Sequence, residues 1–100
     1  MHFILTYYFD CDQEKCNSIN GEVLSILDKF EKVNTFQHTF IIQAKGQAEW
    51  NKLQQDLSNI ANRHGCDFKF LMTPLMVGGF YNGWLPVGQW DKINKIIGND

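Results

Sequence analysis

With 100 residues, 11.6 kDa, 44% hydrophobic and 14% aromatic content, the chain holds enough apolar material for one packed core and too little for a second lobe, so residues 1–100 read as a single domain. Nine basic against eleven acidic residues, a net charge of −2 and a pI near 5.8 exclude a global positive field that would hold nucleic acid non-specifically; such binding needs a local patch. No segment approaches the ~18 apolar residues of a membrane helix, since even FLMTPLMVGGF is interrupted by Pro74, Gly78 and Gly79.

The opening MHFILTYYFD enters a strand at once, without the basic leader and long apolar run of a signal peptide, which predicts a cytoplasmic protein with no membrane partner. In that compartment Cys11, Cys16 and Cys66 are expected as free thiols. Phe3 to Phe9 alternates Phe3, Leu5, Tyr7 and Phe9 against Ile4, Thr6 and Tyr8, and both sets are largely apolar or aromatic, as in a central strand covered on two sides. After the polar DCDQEK run, Ile19, Val23, Ile26, Leu27 and Phe30 form one helical stripe, with Asn17 or Ser18 as the cap and Gly21 weakening the first turn.

Residues 31–46 then suit a short strand, Lys32 to Phe36, folding into a longer one, in preference to one long bent strand. The period-two pattern across NTFQHTFIIQAKG puts Phe36, His38, Phe40, Ile42 and Ala44 on an apolar face and Gln37, Thr39, Ile41, Gln43 and Lys45 on a mostly polar one, so the helices are expected to pack on the Phe face. Trp50, Leu53, Leu57, Ile60, Ala61 and His64 mark a second helix from Gln47, ended at Gly65. Asp67 to Met72 is another strand, stopped by Thr73-Pro74. The order is that of an α+β, ferredoxin-like β-α-β-β-α-β two-layer sandwich. An extension over 75–100 adds the Gly-punctuated LMVGGFYNGWLP as an extra C-terminal strand or hairpin, and a short helix opened by Pro86 with Trp90, Ile93 and Ile97 on one side.

Few residues promise chemistry. Asp10 and Asp12 sit where the first strand runs out, and carboxylates there suit a hard cation such as Mg²⁺, although aspartates in that position are more often turn formers or helix caps. His38 on the apolar strand face reads as a core or rim residue in preference to a base or ligand. Cys11, Cys16, His64 and Cys66 lack zinc-knuckle spacing, and Gly78, Gly79 and Gly83 lack that of a phosphate loop. Phe80, Tyr81, Trp84 and Trp90, with almost no Lys or Arg between them, read as a subunit contact before a base-stacking platform.

Thr6-Tyr7 at the strand end, Phe36-Gln37-His38-Thr39-Phe40 with the polar helix that follows, and Phe68-Lys69-Phe70-Leu71 together resemble the CRISPR-associated protein two family and its relatives, including VapD-like toxins, over roughly Met1 to Pro74. The resemblance implies a ferredoxin-like homodimer whose last strand crosses to the partner's sheet, with Phe80, Tyr81 and Trp84 at the interface. It also implies association with nucleic acid and, in some members, metal-dependent phosphodiester cleavage. In that family the metal-binding aspartate directly follows the strand-end tyrosine. Here Tyr8 holds that place and Asp10 lies two residues on, so Asp10 becomes the catalytic candidate, and Asp10 with Asp12 the metal candidates, for Mg²⁺. A displaced aspartate implies weak or absent nuclease activity and favours a structural or toxin-type role. The alternative, favoured by the acidic pI, is a ferredoxin-like binding or regulatory module with no nucleic-acid role.

Overall fold

The first strand, largely apolar or aromatic on both faces, lies inside the sheet with a neighbouring strand paired on each edge. The computed structural model describes residues 1–64, 68–73 and 83–98. Seven elements follow in order: β1 (His2–Phe9), α1 (Gln13–Leu27), β2 (Glu31–Phe36), β3 (Thr39–Gln43), α2 (Gln47–His64), β4 (Phe68–Met72) and α3 (Val87–Gly98). The four strands lie in the order β2-β3-β1-β4, and every neighbouring pair is antiparallel. The chain is thus α+β, a four-stranded antiparallel sheet with three helices, an arrangement compatible with the expected ferredoxin-like type.

One sheet face carries Phe3, Leu5, Tyr7, Phe40, Ile42 and Phe68, which pack against Ile19, Val23 and Leu27 of α1 and Leu53, Leu57 and Ile60 of α2. Each such side chain contributes about 1.5–3 kcal/mol when fully buried, so this layer dominates stability. Between the two helices, Glu22 of α1 accepts from Arg63 at 2.5 Å and meets His64 Nε2 at 2.8 Å. His64 first, then Arg63, favours the Glu22 carboxylate and lowers its pKa.

The other face departs from the two-layer expectation. Val33 and Ile41 are buried there against Ile93 and Ile96 of α3, with Ile4, Leu85, Trp90 and Ile97 packed around them. Ile41, assigned from its neighbours to a polar face, is therefore a core residue, and over β2 and β3 the fold has three layers. Ile96 joins the predicted stripe of α3, whose first turn is closed by Gln89 N–H donating to the Pro86 carbonyl at 2.9 Å. Most of the segment expected as an extra strand or hairpin lies outside the described residues, and positions 83–86 are neither helix nor strand.

Two local details differ from expectation for identifiable reasons. α1 begins at Gln13, capped by Asp12, whose carboxylate accepts the Lys15 N–H at 2.9 Å; Asn17 and Ser18 lie within the helix. The polar residues before Ile19 form the exposed side of its first turns, which the apolar stripe does not reveal. The 31–46 stretch divides into two strands, as favoured, but their pairing shifts between Asn34 and Phe36 and the chain turns at Gln37-His38. Bulge and turn reset the alternation. Phe36, expected inside, is exposed, and His38 sits in the turn with φ 61° instead of in a strand.

Candidate functional site

Both faces of β1's C-terminal end display side chains with chemical potential. On the helix-covered face, Tyr7 stacks on His38 with ring centroids 4.9 Å apart and on Phe40 at 6.2 Å, while Phe9 meets His38 edge-on at 4.6 Å and stacks on Phe68 at 5.7 Å. The Tyr7 N–H donates to the His38 carbonyl at 3.0 Å, which ties the hairpin turn to the central strand. Tyr7 is 5% exposed, and its hydroxyl is buried with no hydrogen-bond partner among the described residues. Burial pushes the Tyr7 pKa up to about 12 and lowers that of His38, because in each case it disfavours the charged form. His38, expected as a core or rim residue of the strand, is half-buried in the turn and held by ring contacts with Tyr7 and Phe9.

The opposite face of β1 and β4 is left open by α3, which covers the β2–β3 side. There Tyr8 pairs across strands with Lys69, and Thr6 with Leu71. Tyr8 and Leu71 are each 61% exposed, whereas the Thr6 hydroxyl is hydrogen-bonded to that of Thr39 at 3.0 Å. A shallow depression of about 230 Å³ lies among Thr6, Tyr8, Lys69 and Leu71. A larger one of about 490 Å³ opens at the far end of the strand, among Met1, Phe3, Trp50 and Met72, with no carboxylate or lysine side chain among the described residues of its wall.

Asp10 lies just beyond β1 and is exposed. Asp12 caps α1, so the bland reading of that residue is the observed one. Among the described residues no three His, Cys, Asp or Glu side chains converge on one point. Of the expected interface residues, Trp84 is 97% exposed, while Phe80 and Tyr81 lie outside the described residues.

Cys11 and Cys16 form a disulfide, which overturns the expectation of free thiols for this pair. The cap at Asp12 is the cause: it folds the chain through one turn and brings the two α-carbons within 5.8 Å. The only signal in the sequence is a cysteine on each side of an aspartate able to cap. The Tyr7–His38 stack had no signal, because it depends on the turn conformation of His38. Comparison with protein-family models, curated proteins and solved structures finds no match to this chain.

Proposed function

We propose that this chain is a ferredoxin-like, nucleic-acid-associated homodimer of structural or toxin type, which contacts single-stranded nucleic acid through the open sheet face around Tyr8. The observation that carries the reading is the cross-strand pair of Tyr8 and Lys69, an exposed aromatic ring beside an exposed cation on a sheet face that no helix covers there among the described residues. A flat aromatic offers any base a stacking surface, and a neighbouring lysine offers its phosphate a counter-charge. The resemblance to the CRISPR-associated protein two family supports the same reading, as does the strand order. The local pair matters because the net charge of −2 supplies no long-range attraction.

Fluorescence anisotropy with labelled single-stranded RNA and DNA across a salt series tests this. Affinity should fall with salt, Tyr8→Ala should weaken it about 5- to 150-fold, and Lys69→Ala should flatten the salt slope by about one phosphate contact. Absence of binding at about 50 mM salt overturns the reading. It leaves the second one, a binding or regulatory module without a nucleic-acid role, for which the acidic balance speaks. Cleavage belongs to the proposal only as a weak activity requiring Asp10, the strand-end carboxylate not used as a helix cap. Cleavage at the full parental rate by Asp10→Ala would exclude that role.

A further inference from the structure

The joint between β1 and α1 holds a pair of sulfurs that the sheet-face reading does not use. We propose that Cys11–Cys16 is a reversible dithiol–disulfide site that exchanges with low-molecular-weight thiols and disulfides of the glutathione class.

Three observations support exchange over a permanent staple. Both cysteines are only partly buried, so a small thiol reaches the bond from solvent. The turn that brings them together is held without the bond: Asp12 Oδ1 accepts the Lys15 N–H at 2.9 Å, and the Asp12 carbonyl accepts the Cys16 N–H at 2.9 Å. The reduced thiols therefore stay side by side, and closure is intramolecular. The Cys16 sulfur also lies 3.4 Å from the Cys11 carbonyl oxygen, an acceptor for the thiol proton once the bond opens.

The fold does not depend on the bridge. It closes a loop of sequence separation 5, and the stabilisation from cross-linking is smallest for short loops. Cys11 packs only at the margin of the core, which is built from Phe3, Leu5, Ile19, Leu53 and their neighbours. A bond so placed acts on the joint itself. Oxidised, it fastens the end of β1, next to Asp10 and the Phe9–His38 contact, to the first turn of α1; reduced, it leaves that joint to the Asp12 cap.

The chemistry balances as two exchanges. A thiolate of the pair attacks one sulfur of the external disulfide, forms a mixed disulfide and releases one external thiol. The second cysteine, after losing its proton, attacks the protein sulfur of that mixed disulfide, closes the Cys11–Cys16 bond and releases the second external thiol. The external disulfide is reduced and the protein dithiol oxidised.

The test uses the full chain with Cys66→Ser, equilibrated over a series of reduced to oxidised glutathione ratios, quenched with an alkylating reagent and weighed by mass spectrometry. The expected result is one smooth two-electron transition between a doubly alkylated form and an unalkylated form lighter by two of the reagent's alkyl groups, with circular dichroism unchanged across it. Hydrogen exchange at Lys15 and Cys16 should be slower in the oxidised form. In a further Cys11→Ser variant, glutathione should remain attached at Cys16. The proposal is overturned if the folded protein stays oxidised in large excess of reduced glutathione, stays reduced in large excess of the oxidised form, or collects glutathione adducts without the internal bond. These outcomes do not depend on nucleic-acid binding.

Discussion

His38 holds a left-handed backbone, φ 61°, which a non-glycine residue adopts with strain that its surroundings must offset. Two aromatic rings do so, Tyr7 stacked at 4.9 Å and Phe9 edge-on at 4.6 Å. The same burial lowers the His38 pKa from 6.5, so the unfolded chain binds the proton more readily than the folded one. Stability from this residue is therefore present above about pH 6.5 and is lost as pH falls through its lower folded value. His38→Asn retains a residue tolerant of this φ and removes the titration. Urea midpoints at pH 7.5 and 5.5 should drop less between the two conditions in the variant than in the parent. Equal drops would mean that His38 is not the group responsible. Tyr7 is the complementary case, since its hydroxyl is buried without a partner among the described residues. An uncompensated hydroxyl costs about 1–3 kcal/mol, so Tyr7→Phe should be neutral to stabilising by about 1 kcal/mol. The variant should also lose the part of the alkaline destabilisation that sets in above pH 10, the unfolded value, and grows as pH rises to about 12. A clear loss of stability in Tyr7→Phe would show that the hydroxyl has a partner after all.

At the scale of elements, α1 offers the cleanest gain. Its start at Gln13 moves Gly21 from a doubtful first turn to the helix interior, where a β-carbon would meet nothing within 4 Å. Gly21→Ala should therefore raise stability by about 1 kcal/mol, through propensity and a less free unfolded chain. In a domain of this size that is a melting temperature higher by about 4–8 °C, measurable by circular dichroism; no rise would mean that α1 is not formed there. The same helix shows how far periodicity can be read. Ile19, Val23 and Leu27 were legible because a buried stripe repeats every third or fourth residue, and α2 was legible from Trp50 to His64 for the same reason. The exposed first turns of α1 were not, because a solvated helix end has no apolar rhythm and only the Asp12 cap marks it. The 39–43 strand was legible in its pairing face, Phe40 and Ile42, but not in its other one. Ile41 is covered by α3, and nothing local to β3 announces a helix that arrives more than forty residues later. The candidate site was legible only as a place, the end of β1. Which side chains meet there is decided by the bulge at Asn34 to Phe36 and the turn at His38, neither of which the strand pattern encodes.

For the molecule as a whole, the third layer decides which surface remains. α3 covers Val33 and Ile41 and leaves the β1–β4 side of the same face to Tyr8, Lys69 and Leu71. Its N-terminal end is tied to β2 by Gln89 Nε2 donating to the Asn34 carbonyl at 2.8 Å. Phe36 follows Asn34 by two residues in the chain, Val87 precedes Gln89 by two, and Trp84 stands three residues before Val87. Val87, Phe36 and Trp84 are 79%, 61% and 97% exposed, and large apolar side chains so exposed are candidates for a contact with another molecule. A second copy covers such side chains on both partners at once when they meet about a two-fold axis. The proposed homodimer should therefore bury at least ~1,200 Å² in total, with Trp84 among its contacts. Light scattering at tens of micromolar should give close to twice the chain mass of 11.6 kDa. Trp84→Ser, which alters a side chain that supports no described core, should shift the population to monomer while leaving the circular dichroism spectrum and melting curve of a dilute sample intact. A parent protein that is monomeric at that concentration, or a Trp84→Ser protein that remains fully dimeric, would show that this surface does not hold two copies together.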